Sequence, residues 1–215
     1  MYKGANRMIE TASGLTLLVA TNNAGKVREY QTLLAGLPVH LVTPASAGIQ
    51  MDVDENGASF EENALIKARA YGEASGLPTL ADDSGLEVDA LGGAPGIRSA
   101  RYAGESATDA DRYHRLLGAL RDVPPDERTA RFQCVIAIVL PDGRSFTFSG
   151  KCEGVIGETP RGSHGFGYDP VFYMPALGRT MAELSPIVKD RVSHRGRAVM
   201  RMRPFLRKLI ATRQT

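Results

Sequence analysis

The 215-residue chain predicts an α/β fold: a long mixed β-sheet with flanking helices. Three observations predict it. Apolar runs of strand length alternate with helical periodicity through the first half of the chain. One later run, "ARFQCVIAIVL" (130–140), is apolar on both alternating faces in its second half, as a strand covered on both sides requires. A turn at Asp142-Gly143 then brings the chain back in "PDGRSFTFSG" as an alternating strand, so a hairpin joins the strand–helix alternation.

Taken in order, "LTLLVAT" (15–21) is a strand. It is followed by the turn-forming "NNAG" and then by Val27, Tyr30, Leu33 and Leu34 at helical spacing. Ser59 and Glu62 make a capping box that opens a second helix, with Phe60, Ala64, Leu65, Ala68 and Tyr71 on its apolar face and Gly76 and Pro78 at its end. "LADDSGLEVDALGGAPG" (80–96) reads as a strand that ends at Asp82-Asp83, before a Ser84-Gly85 turn and a glycine-rich bend. Thr108 and Asp111 start a third helix carrying Leu116, Leu117 and Leu120, and "VPPDE" closes it. The last helix begins near Ser193 and aligns Val199, Met202, Leu206, Leu209 and Ile210; Pro204 inside that pattern predicts a kink or a late start. The first dozen residues show no periodicity. They are expected to form a mobile leader (1–14), leaving 15–215 as a single domain without repeats or linkers.

A hydrophobic content of 43% supports a sizeable core. The longest apolar stretches fall far short of the roughly 20 residues that span a bilayer, so a soluble protein without a membrane partner is expected. Cys134 and Cys152 have no metal-ligand or redox spacing, which suits a reducing cytoplasm. A net charge of +2 gives the whole chain no nucleic-acid signature, although Lys189 to Arg213 holds nine Lys or Arg against Asp190 alone.

Five stretches could carry chemistry, and each has a plainer alternative. "TNNAGK", Thr21 to Lys26, lies between strand and helix, where free backbone N–H groups, the helix dipole and Lys26 suit a phosphate; an ordinary turn with a solvated lysine would look the same. Asp52, Asp54 and Glu55 precede a capped helix and serve equally as dipole partners, while Asn63 and Lys67 share a face of that helix. Asp82 and Asp83 point to opposite sides of extended backbone, so one can face a cleft, as a Mg²⁺ ligand, while the other holds a turn. An Asx-type turn is the simpler reading. "GSHGFGYDP" (162–170) offers free backbone groups and aromatic rings for a flat base, or is only a glycine-rich surface loop. "KDRVSHRGR" (189–197) is either a solvated basic helix end or a mobile cationic hook over an anion. Together the five describe what a Mg-nucleotide needs.

These segments, "ATNNAGKVRE", "SFEENALIKAR", "LADDSGLEVDALGGAPGIRSARYAG", "GFGYDPVF" and "SHRG" in that order, closely resemble the inosine/xanthosine triphosphate pyrophosphatase family, from about Leu15 to the final helix. The resemblance implies an elongated two-lobed fold around a long central mixed sheet with the active-site cleft between the lobes. It also implies a homodimer and Mg²⁺-dependent cleavage of non-canonical purine triphosphates (ITP, dITP, XTP) to monophosphate and pyrophosphate. By motif, Thr21, Asn22, Asn23, Ala24, Gly25 and Lys26 would hold the triphosphate, with Lys67 as a further phosphate ligand. Glu55 and Asp83 would serve the metal. Asp83 would be the proton acceptor and Ser84 a substrate contact. Phe166, Gly167, Tyr168 and Asp169 would line the base and sugar pocket, and Lys189, His194 and Arg195 would close over the substrate. Asp82 is left to hold the turn, and the following glycines to admit the substrate. The chain departs from the pattern at Asn22, where glycine is frequent, and at Pro204. Rival readings are a nucleotide sensor without turnover, nucleic-acid binding through the arginine-rich last helix, and a pyrophosphatase of modified pyrimidine or methylated nucleotides.

Overall fold

The computed structural model describes residues 14–212, so the expected leader lies outside the described residues except for Gly14. The chain runs β1 (Leu15–Val19), α1 (Ala24–Leu33), β2 (Val39–Val42), α2 (Phe60–Ser75), β3 (Thr79–Val88), α3 (Asp109–Ala119), β4 (Thr129–Val139), β5 (Ser145–Ile156), β6 (Phe172–Met174), β7 (Arg179–Thr180), α4 (Pro186–Val192) and α5 (His194–Ala211), with short 3-10 turns between them. One seven-stranded sheet has the order β2-β1-β3-β4-β5-β6-β7. β1 is parallel to both β2 and β3, and every later pairing is antiparallel, so the sheet is mixed as predicted.

Period-two alternation sends neighbouring side chains to opposite faces of this sheet. Leu17, Val19, Leu80, Ile136 and Ile138 pack with Tyr30 of α1 and Met202 and Leu206 of α5. Leu18, Ala20, Ala81, Ala137 and Val139 pack on the other face with Ala64, Ala68 and Tyr71 of α2. A further core, toward the other end of the long strands, gathers Leu86, Val88, Phe132, Cys152 and Phe172 with Leu116 of α3 and Leu120 at its C-cap. β3, β4 and β5, of 10, 11 and 12 residues, connect these cores.

Three expectations are corrected. The "ADDSG" stretch is not a strand end. β3 keeps register with β4 from Thr79↔Val139 to Val88↔Ala130, straight through Asp82, Asp83, Ser84 and Gly85. Its other edge is covered past Gly85 by the 3-10 turn Gly96–Arg101, whose Ser99 hydroxyl accepts the Leu86 N–H at 2.9 Å. A side chain at Gly85 would collide with the Gly96 carbonyl and the Ser99 hydroxyl, so this glycine admits the chain's own backbone. Gly92, Gly93 and Gly96 have φ of 61°, 90° and 55° and shape the bend that brings that turn back.

The second correction concerns the late start allowed for α5, which begins at His194 and stays helical through Pro204. The carbonyl that Pro204 leaves without a helical N–H belongs to Met200, a solvent-exposed residue, while Met202 and Leu206 hold the other side in the core. The arginines of this helix cover its flanks: Arg197 donates to the Lys151 carbonyl at 2.8 Å and Arg201 to the Ser149 carbonyl at 2.5 Å. Third, the Ser59 capping box is incomplete. Ser59 accepts the Glu62 N–H at 3.2 Å, but the Glu62 carboxylate accepts from Ala58 rather than from Ser59. Both cysteines are buried free thiols. Among the described residues no helix is long and apolar enough to cross a membrane.

Candidate active site

The site opens where β1 leaves the sheet. Ala20 N–H donates to the Leu80 carbonyl at 2.7 Å; beyond that point the chain turns into α1 while β3 continues. The next outward carbonyl on β3, that of Asp82, therefore meets no strand and takes two lysines instead, Lys67 Nζ at 3.2 Å and Lys26 Nζ at 3.4 Å. A crevice beyond the carboxyl ends of parallel strands is the usual ligand position in α/β sheets. Lys26 reaches it from the first turn of α1, which is fixed by the Asn23 side chain accepting the Gly25 and Lys26 N–H groups at 2.8 and 3.1 Å. Asn23 is thus the helix cap. Asn22 has no positive φ, so its position does not demand glycine.

The paired aspartates face opposite ways, as extended backbone dictates. Asp82 points toward α1 and α5. Its Oδ2 accepts from Arg195 Nη2 at 2.9 Å and Nε at 3.3 Å, and it pairs with Lys26 at 3.0 Å. Burial works to raise its pKa, but Lys26, Arg195 and Lys67 outweigh burial and hold the carboxyl far below the usual carboxylate range. Asp82 therefore anchors buried cations and does not hold a turn. Asp83 points toward α2, where its Oδ2 accepts from Asn63 Nδ2 at 3.1 Å. Burial raises its pKa and Glu55 adds to the rise, against the pull of Lys67 and Lys26. Lys67 also pairs with Glu55 at 2.8 Å.

The cations expected as a mobile hook are instead built into the floor of the site. Lys189, His194 and Arg195 are 5%, 5% and 1% exposed. Glu29, on α1, bridges two of them, Lys189 at 2.8 Å and Arg195 at 2.6 Å. Lys189 also pairs with Asp169 at 2.6 Å, and Arg195 donates to the Ser84 hydroxyl at 2.8 Å. His194 stacks on Phe132, with centroids 4.7 Å apart and planes 16° from parallel, and burial holds it neutral by depressing its pKa. Above this floor lies Phe166, its ring centroid 4.8 Å from Lys189 Nζ and 5.7 Å from Arg195 Cζ. Gly25 leaves the space that this ring needs.

One cavity of about 260 Å³ gathers Thr21, Asn23, Lys26, Glu55, Lys67, Asp83, Ser84, Phe166, Gly167, Tyr168, Asp169, Lys189, His194 and Arg195. Asn22, Ala24 and Gly25 do not line it. Asn22 borders a separate groove with Ile49 and Asp52, and Gly25 lies behind Phe166. The sequence reading missed Ser99, Asp109, Arg112 and Phe132 in the wall and Glu29 beneath it. Glu29 follows Lys26 at helical spacing, which was the one available signal.

A family model described as "Ham1 family" matches residues 17–205. The chain belongs to the Ham1 family. This Ham1 chain is 51% identical over 190 residues to a dITP/XTP pyrophosphatase of Geobacter sulfurreducens, covering 88% of this chain and 96% of that protein. It is 53% identical over 195 residues to a dITP/XTP pyrophosphatase of Methylococcus capsulatus, at 90% and 96% coverage. The solved structure of a HAM1 protein from Coxiella burnetii superposes with a TM-score of 0.82 at 43% identity, covering 90% of this chain and 99% of that one. Among the described residues of this Ham1 chain, no group of three or more His, Cys, Asp or Glu side chains gathers as a metal cage. Of the carboxylates that line the cavity, Glu55 and Asp83 lie together beside Lys67, with the Asp83 pKa raised by burial and by Glu55. That donor set fits Mg²⁺, which commonly takes one or two carboxylates and completes its shell with water and substrate phosphates.

Proposed function

We propose that this chain is a Mg²⁺-dependent nucleoside triphosphate pyrophosphohydrolase that converts non-canonical purine nucleotides, ITP, dITP and XTP, to monophosphate and pyrophosphate. The observation that carries the reading is one cavity with two chemically distinct ends. Lys26, Lys67, Glu55 and Asp83 make a phosphate and metal end; Phe166, Tyr168, Lys189, His194 and Arg195 make an aromatic, cation-floored end. The identity to proteins named dITP/XTP pyrophosphatase supports the choice of substrates. In this reading residues 15–215 act as one unit, because three long strands connect the cores. The homodimer rests on the resemblance, and the cytoplasmic location on two cysteines without disulfide, metal or redox spacing.

In the reaction, Lys26 and Lys67 neutralise the departing pyrophosphate, and Thr21 and Asn23 border it at the start of α1. Glu55 and Asp83 would hold Mg²⁺, which would supply charge neutralisation on the phosphate oxygens. Asp83, oriented by Asn63, takes the proton from the water that attacks the α-phosphorus. The base lies against Phe166 and Tyr168. Arg195 directs its N–H groups to Asp82, Glu29, Ser84 and Tyr30, so reading the base falls to another donor of the pocket, such as a backbone N–H. A 6-oxo group satisfies that donor. An adenine amino group leaves it facing another donor, and unpaired buried polar groups discriminate strongly. We favour this cavity over the arginine-bearing α5 as the functional surface, since Arg197 and Arg201 are hydrogen-bonded to main-chain carbonyls.

The test is a substrate panel of ITP, XTP, dITP, GTP, ATP and modified pyrimidine triphosphates, with and without Mg²⁺, read as pyrophosphate against phosphate. Pyrophosphate from ITP, dITP and XTP, far above GTP and ATP and dependent on Mg²⁺, is expected. No turnover of ITP or XTP overturns the proposal.

A further inference from the structure

The aromatic loop is held from outside by a carboxylate that no step above uses. The loop lacks regular structure from His164 to Asp169 and is fixed by individual hydrogen bonds. Phe166 N–H donates to Asp169 at 2.9 Å and the Tyr168 hydroxyl to the Ser99 carbonyl at 2.8 Å. Between these two aromatics, Gly167 N–H donates to Asp109 Oδ2 at 2.7 Å. Gly167 has φ of 64°, a left-handed conformation, so this bond fixes the direction of the peptide that joins the two rings.

Asp109 is not needed to start its helix. Thr108 and Asp111 already form a complete capping box there. The other oxygen of Asp109 accepts from Arg112 Nη1 at 2.7 Å, three residues along α3, so the carboxylate is gripped on one side and grips the loop on the other. Asp109 and Arg112 both line the cavity next to Gly167 and Tyr168.

Resting on the reading that the aromatic end takes the base, we infer that Asp109 is a positioning residue for nucleoside recognition. Its carboxylate sets the Phe166–Tyr168 platform, and Arg112 fixes the carboxylate. A first-turn acid acting only as a helix-dipole partner would influence stability and nothing else.

The test separates the two ends of the cavity by measuring binding of inosine monophosphate and of pyrophosphate to the intact chain with Mg²⁺, by calorimetry. In Asp109→Ala, loss of a charge-assisted hydrogen bond is expected to weaken inosine monophosphate by about tenfold. Pyrophosphate affinity stays as in the parent. Asp109→Asn keeps an acceptor oxygen and falls between the two, which guards against a folding defect; Arg112→Ala weakens the nucleotide alone, by less. An Asp109→Ala chain that binds inosine monophosphate like the parent, or loses both ligands equally, overturns the positioning role. A parent chain that binds pyrophosphate but no inosine monophosphate overturns the base-pocket reading itself and the positioning role with it.

Discussion

Asp82 and Asp83 are adjacent carboxylates driven to opposite behaviour by which face of β3 each occupies. Asp82 sits among Lys26, Lys67 and Arg195 and stays ionised, and its charge organises the floor of the site. Asp83 has an amide and a second carboxylate nearby, and its burial makes it a stronger base than an ordinary aspartate. Asp83→Asn is expected to lower turnover by about 10² to 10⁴ while the thermal transition stays close to that of the parent. Steady-state pyrophosphate release and a melting curve check both halves. His194 gives a pH prediction. Its folded pKa lies well below the ordinary value, so the folded state binds no proton there where the unfolded chain does. Its burial as a neutral ring therefore carries no penalty above the ordinary histidine pKa and an increasing one as the pH falls below it. Melting temperature is expected to drop from pH 7 to pH 5 more steeply in the parent than in His194→Phe, which keeps a ring against Phe132. Equal slopes would contradict the assignment. The opposite facing of the two aspartates was legible from strand parity, whereas the partners of Asp82 were not. Arg195 lies 113 residues away in sequence, and no local spacing encodes that contact.

At the scale of elements, helix starts were the most legible features, because a cap is a local contract between a side chain and the N–H groups two or three residues on. Ser59, Thr108 and Ser193 all cap where the sequence places them. β3 was misread for the complementary reason. Asp, Ser and Gly favour turns locally, and what keeps them extended is pairing with β4 and the Ser99 hydroxyl on the other edge. The continuity of α5 likewise comes from packing. Its start is docked on β5 at Gly150, where an added methyl would strike the His194 carbonyl and the Ala198 N–H. Gly150→Ala is expected to destabilise the chain by about 1 to 3 kcal/mol, the usual range for overpacking. Because the displaced turn carries His194 and Arg195, affinity for inosine monophosphate falls as well. Chemical denaturation and a binding measurement on the same variant check the pair of effects, and a destabilised chain with unchanged nucleotide affinity would contradict the link.

For the molecule as a whole, the fold class was legible because strand and helix periodicities differ, and the mixed sheet followed from an early strand–helix–strand alternation and a later hairpin. Sheet order and the placement of the cavity were not, since both depend on where β1 stops while β3 continues. That divergence leaves the Asp82 carbonyl to two lysines from different helices, both of which line the cavity. In the proposed reaction water attacks the phosphorus next to the nucleoside, with pyrophosphate as the leaving group held by Lys26 and Lys67. Hydrolysis of ITP in ¹⁸O-enriched water, read by mass spectrometry of both products, tests it most directly. The label is expected in inosine monophosphate and none in pyrophosphate. Label in pyrophosphate, or release of orthophosphate as the first product, would contradict that reaction.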